Sequence, residues 1–215
     1  MSLHLYFHPL SSFCHKVLIA FYENDTPFEP HVVDLSDEAS ASAFKKIWPL
    51  GKFPVLRDEA RDRTIPESSI IIEYLAQHHP GPVKLVPDDP DRARQTRMRD
   101  RFYDLAVNVP MQKIVTDRIR PTGKGDPFGV EQAQGQLRTA LDMIDQEMAT
   151  KPWAMGDSFT MADCAAAPAL FYANEVMPFA ASHGNAARYL ERLRKRASYA
   201  RALEEAKPYF ANFPR

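Results

Sequence analysis

Four prolines, Pro80, Pro82, Pro87 and Pro90, fall within eleven residues and separate two stretches of different periodicity. Each proline fixes φ and removes a backbone donor, so this segment suits neither helix nor strand. It predicts a linker over 80–90 between an N-terminal domain, 1–79, and a second domain, 91–215. Before the linker the pattern changes every few residues. Leu3, Leu5 and Phe7 alternate with His4, Tyr6 and His8, which predicts a strand. Phe13, Val17, Leu18 and Phe21 follow at helical spacing. Residues 31–34 read as a second strand, 44–48 as a short helical or irregular piece, 53–56 as a third strand and 64–65 as a fourth. Ile71, Ile72 and Leu75 share one face of a helix over 68–78. The expected order is β-α-β-α-β-β-α.

After the linker only the helical period remains. A helix from Asp91 carries Phe102, Leu105 and Val109, and Pro110 is expected to kink or interrupt it. Val130, Ala133, Leu137, Leu141, Ile144 and Met148 form the stripe of the next helix. Residues 161–173 are apolar almost all round and predict a buried central helix. Two amphipathic pieces, 186–196 and 199–206, close the chain. Thr160-Met161-Ala162-Asp163 has the form of a capping box, with Asp where Glu or Gln is usual, and its role reads as structural.

Bulk properties exclude several classes. The formal charge is −1, so no global field attracts nucleic acid or anionic membrane. Acidic residues Asp91, Asp100 and Asp104 interrupt the arginines from Arg92 to Arg101, which read as a solvated or dimer-forming face. No run reaches the ~18 apolar residues of a membrane span, and the N-terminus lacks signal-peptide character. Two cysteines, Cys14 and Cys164, suit a reduced cytoplasmic protein better than a disulfide scaffold.

Four motifs in order carry a resemblance. Tyr6 to Val17 is similar to the first strand, catalytic loop and first helix of the cytosolic glutathione transferases. Pro49 to Leu56 is similar to their glutathione-backbone loop, Ile65 to Leu75 to their γ-glutamyl site, and Gly156 to Asp163 to their second-domain capping motif. The resemblance spans the chain, with motifs nearest the theta and zeta classes. It implies an α/β thioredoxin-like N-terminal domain, an all-α C-terminal domain, glutathione as co-substrate, and a homodimer formed across the first helices of the second domain. It also implies that Pro54 is cis and that Phe53 pairs through its backbone with the cysteinyl part of glutathione, as an edge strand pairs with a peptide. Glu67 would meet the γ-glutamyl ammonium, and Ser68, at a helix N-terminus, the carboxylate. Lys52 would meet the glycyl carboxylate.

The chemistry rests on a thiol whose ordinary pKa is about 8.5. Lowering it by about two units requires about 2.7 kcal/mol. A hydrogen bond to a charged acceptor supplies roughly 1.5–3 kcal/mol, and a helix N-terminus roughly 0.3–1 kcal/mol. One hydroxyl at the start of the first helix therefore suffices, and no metal or general base is needed. Ser11 stands where the theta and zeta classes carry their catalytic serine; Ser12 takes the role if the loop is shifted by one. Cys14 is a third candidate, by mixed disulfide with glutathione, although helix geometry turns it away from the thiol. A second-substrate pocket is expected from Leu10, Tyr103, Val107, Met111 and Phe171. The expected activity is conjugation of glutathione to a small, partly apolar electrophile. The alternatives are a glutathione-dependent isomerase of zeta type, whose usual Cys-Ser-Trp is Phe13-Cys14-His15 here, and a non-catalytic binding module.

Overall fold

The computed structural model describes residues 2–214. Four strands, β1 (Leu3–Phe7), β2 (Glu29–Val32), β3 (Val55–Asp58) and β4 (Arg63–Pro66), form one sheet in the order β2-β1-β3-β4. β1 and β2 run parallel, with Leu5 opposite Pro30, and the helix α1 (Ser12–Glu23) makes the crossover. β3 lies antiparallel to β1, with Leu56 opposite Leu5, and β4 antiparallel to β3. The period-2 pattern sorts the two faces of β1. Leu3, Leu5 and Phe7 enter the main core, whereas Tyr6 packs toward Phe44 of α2 (Glu38–Ile47). The predicted element order is correct. α2 begins six residues earlier than expected, and β2 is shifted two residues toward the N-terminus.

α1 is buried along most of its length because it packs against the sheet side, α7 (Met161–Val176) and α9 (Ala197–Ala206). Each large apolar side chain it buries, such as fully enclosed Phe21, contributes about 1.5–3 kcal/mol. α3 (Ser68–His78) closes the sheet layer. The helical half adds α4 (Pro90–Phe102), α5 (Val109–Arg118), α6 (Pro127–Met148) and α8 (Gly184–Arg194), with α7 at its centre. The capping box opens α7 as expected: Asp163 accepts from the Thr160 N–H at 2.8 Å, and also from Ala154 N–H at 2.8 Å and Tyr189 Oη–H at 2.6 Å.

Pro110 does not break its helix at its own position. It sits in the first turn of α5, and the irregularity falls upstream as a π-helical segment, Tyr103–Asn108. A proline cannot donate to the carbonyl four residues back and its ring crowds that group, so the preceding turn widens. The widened turn aims two polar side chains at α1. Asn108 Oδ1 accepts from Ser12 Oγ at 2.8 Å, and Asp104 meets Lys16 Nζ at 2.7 Å. Lys16 is buried, also pairs with Asp100 at 2.7 Å, and donates to Ser69 Oγ at 2.8 Å. This group ties α1, α3 and α4 together.

Candidate active site

Ser11 is the N-cap of α1. Its Oγ accepts weakly from Cys14 N–H at 3.4 Å, which leaves its own proton free to donate. The residue lines a cavity of about 380 Å³ with His8, Leu10, Phe53, Met111 and Tyr172. Ser12 reaches the same wall, but its proton goes to buried Asn108. Cys14 is fully buried; its Sγ faces the His8 N–H at 3.5 Å, and burial pushes the thiol up to about 12. A thiol so held is neither exposed nor ionised at neutral pH, which corrects its inclusion among candidate nucleophiles.

A second cavity of about 230 Å³ is lined by Lys52, Phe53, Pro54, Glu67 and Ser68, together with Phe13 and Trp48. Phe53 borders both cavities. All five residues expected to hold glutathione outside the serine loop therefore meet at one place. The Phe53–Pro54 bond is cis. Gly51 precedes it at φ +62°, closing a turn in which its N–H donates to Trp48 O at 2.9 Å; a side chain there would be strained. Glu67 is the N-cap of α3 at φ 72°, ψ 121°, and makes no side-chain cap hydrogen bond. A non-glycine residue held there costs of order 1–3 kcal/mol, the kind of strain that marks functional positions. Ser68 follows, buried at the helix N-terminus.

The second-substrate expectation is corrected at three of its five residues. Leu10 and Met111 line the larger cavity. Tyr103 and Val107 lie in the core, Tyr103 beside Tyr189 and its Asp163 partner. Phe171 packs edge-on against Tyr172 and Tyr199. Its neighbour Tyr172 faces the cavity instead, stacked on Phe213 at 5.4 Å between centroids. Beyond the expected residues, His8, Tyr172 and Phe213 line the larger cavity and Phe13 and Trp48 the smaller. For His8 there was a signal, a polar ring at the end of β1 beside the serine loop. It stacks on Phe53 at 5.8 Å, its Nδ1 accepts from Leu10 N–H at 3.2 Å, and burial holds its pKa below the ordinary value.

His15 secures the loop from below. It is fully buried, its Nε2–H donates to Pro9 O at 2.6 Å, and burial lowers its pKa to about 4. The ring is therefore neutral, with the proton on Nε2.

A mixed four-stranded sheet with this crossover, followed by an all-helical half, defines the thioredoxin-like class with an appended helical domain. Two family descriptions match the chain: glutathione S-transferase, N-terminal domain, over residues 5–83, and glutathione S-transferase, C-terminal domain, over residues 127–192. The chain is 31% identical to a probable maleylacetoacetate isomerase of Caenorhabditis elegans over 79% of its own length and 78% of that protein. It is 26% identical to the glutathione S-transferase GstB of Escherichia coli K12, covering 73% and 76% of the two chains. A solved glutathione S-transferase from Methylobacillus flagellatus with GSH bound superposes with a TM-score of 0.84 at 26% identity, covering 94% of this chain and 98% of that one. The chain belongs to the cytosolic glutathione transferase family, and the expected fold class is correct.

Proposed function

We propose that this protein joins the sulfur of glutathione to a small, partly apolar electrophile. Glutathione occupies the smaller cavity, its cysteinyl backbone on Phe53, its γ-glutamyl end at Glu67 and Ser68, and its glycyl carboxylate near Lys52. Its thiolate then points to the mouth of the larger cavity and accepts the Ser11 hydroxyl proton as a hydrogen bond. The observation that carries this reading is the division of labour on the loop. Ser11 alone of its three candidates keeps a free donor at the cavity wall, because Ser12 is engaged by Asn108 and Cys14 is buried. The thiol proton leaves to solvent, the electrophile lies against Leu10, Met111 and Tyr172, and attack of the thiolate forms the carbon–sulfur bond as the bond to the leaving group breaks and that group departs as its anion. The proposed setting is a cytoplasmic homodimer with domains at 1–79 and 91–215.

The test is the pKa of enzyme-bound glutathione in Ser11→Ala, Ser12→Ala and Cys14→Ala. Only Ser11→Ala raises it, by about one to two units, the loss of one charge-assisted hydrogen bond. An unchanged value in that variant moves the role elsewhere on the loop. The isomerase reading has its own support in the Ser11-Ser12 pair and the likeness to the maleylacetoacetate isomerase. Turnover of a cis-enone diacid without net glutathione consumption would favour it over conjugation of an aryl halide.

A further inference from the structure

At the far end of β1 from the serine loop, about 10 Å along the strand, three metal-ligating side chains converge. The parallel ladder sets His4 opposite Glu29 and Tyr6 opposite His31, so these side chains share one face of the sheet. His4 Nδ1 and His31 Nε2 stand 3.0 Å apart. Glu29 turns one oxygen to each ring, at 3.5 Å from His4 Nδ1 and 3.4 Å from His31 Nε2. Ligands at about 2.0–2.2 Å from a tetrahedral zinc lie about 3.3–3.6 Å from one another. The two histidine–carboxylate separations match this, and the two facing nitrogens need to part by only about 0.3 Å.

We propose that His4, Glu29 and His31 form a binding site for a zinc-class divalent transition metal, with solvent in the remaining position. Two imidazoles and one carboxylate form a donor set that suits zinc, nickel or copper and disfavours magnesium and calcium. A second feature supports the site independently. His4 would bind through Nδ1, and its other nitrogen, Nε2, is buried without a hydrogen-bond partner, with Glu59 Oε2 3.3 Å away. A small turn of the Glu59 carboxylate would complete the carboxylate–histidine–metal arrangement that fixes a ligand's tautomer and strengthens it as a base. The His31 ring is held in place by stacking on Tyr6, with 4.7 Å between centroids and 16° between planes. Without a metal one of the two facing nitrogens donates to the other; an ion bound between them requires that ring to take its other neutral tautomer, its proton passing through solvent to its second nitrogen. The ion joins edge strand β2 to central strand β1.

The test uses the tag-free full chain, freed of metal by dialysis against chelator. Zinc is titrated against a chromophoric chelator, and cobalt(II) is followed by its visible bands. One ion per chain, with the strong bands of tetrahedral cobalt, is expected. Magnesium and calcium in excess do not displace it. Glu29→Ala and His31→Ala, both at partly exposed positions, each weaken binding at least tenfold. Glu59→Gln, which leaves all three ligands in place, weakens it roughly 10–100-fold. Zinc raises the unfolding temperature of the parent chain and leaves that of His31→Ala unchanged. The melt without zinc checks that each variant is folded. No saturable zinc binding in the parent, or the same affinity in folded His31→Ala, overturns the proposal; the latter places the ion on other histidines, an adventitious site only.

Discussion

Replacing His15 by glutamine removes a buried base while keeping an N–H able to reach Pro9 O. In the folded chain the imidazole has no contact with water, and its pKa falls from the ordinary 6.5 to about 4. In the unfolded chain the ordinary value returns. Between these two pH values the unfolded chain carries a proton that the folded chain refuses, so acid favours unfolding. The sign is that of a depressed histidine: its full contribution is present above pH 6.5 and is lost as the pH falls toward 4. Two and a half units at 1.36 kcal/mol each amount to about 3 kcal/mol. The assay is urea unfolding at steps from pH 7 to pH 4. The parent loses about 3 kcal/mol more over that range than His15→Gln does, after common terms cancel in the difference. Parallel pH profiles would refute the reasoning, as would a His15 ring that titrates near 6.5 by NMR.

Two further perturbations test the polar supports of the site. Lys16→Met strands buried Asp100 and half-buried Asp104 without their cation, and breaking such a pair costs about 3–5 kcal/mol in urea melts. Burial already holds the Asp104 carboxyl above its ordinary value against the pull of Lys16, so the deficit shrinks as the pH is lowered and Asp104 takes up a proton. Glu67→Gly relieves the positive-φ strain at a position glycine adopts freely, offset by greater unfolded-chain entropy. Thermal stability stays level or rises by up to about 1 kcal/mol while glutathione affinity, read by calorimetry, falls at least tenfold.

The parts of the fold most legible in the sequence are those where one face is buried and the other is not. α3, Ser68–His78, coincides with the expected 68–78 because Ile71, Ile72 and Leu75 repeat on one side and the Glu67-Ser68 pair marks the helix start. The turn at Lys52 to Pro54 and the Glu67-Ser68 pair are legible through the family resemblance, which carries residue types at fixed spacing, and the fold brings them to one cavity. β2 was displaced because its four residues, Glu29-Pro30-His31-Val32, are all exposed or half-buried, so the period-2 signal is absent. Pro30 also marks an edge strand, where a missing donor is tolerated. α2 lost its first six residues for a similar reason. Its serine-rich start follows the Asp37 cap, whose Oδ2 accepts from Ser40 N–H at 2.7 Å, and only Phe44 is buried. Its identity resides in a cap, which hydrophobic period does not report.

The second-substrate wall failed for a different reason, and the π segment explains it. Tyr103, Val107 and Met111 are spaced four apart, so an unbroken α-helix would present all three on one face. The widened turn over Tyr103–Asn108 adds about one residue, which rotates everything beyond it by about 100°. Tyr103 and Val107 therefore stay with the core, and Met111 turns to the cavity. The same widening carries Asp104 to Lys16 and Asn108 to Ser12. It thereby engages the Ser12 hydroxyl and leaves that of Ser11 free at the cavity wall. One proline in the helical half thus shapes the wall of the larger cavity and limits which serine on the loop is free to donate. Restoring an α-helical register through this segment would alter both the wall and the loop, although no residue of the smaller cavity would have been touched.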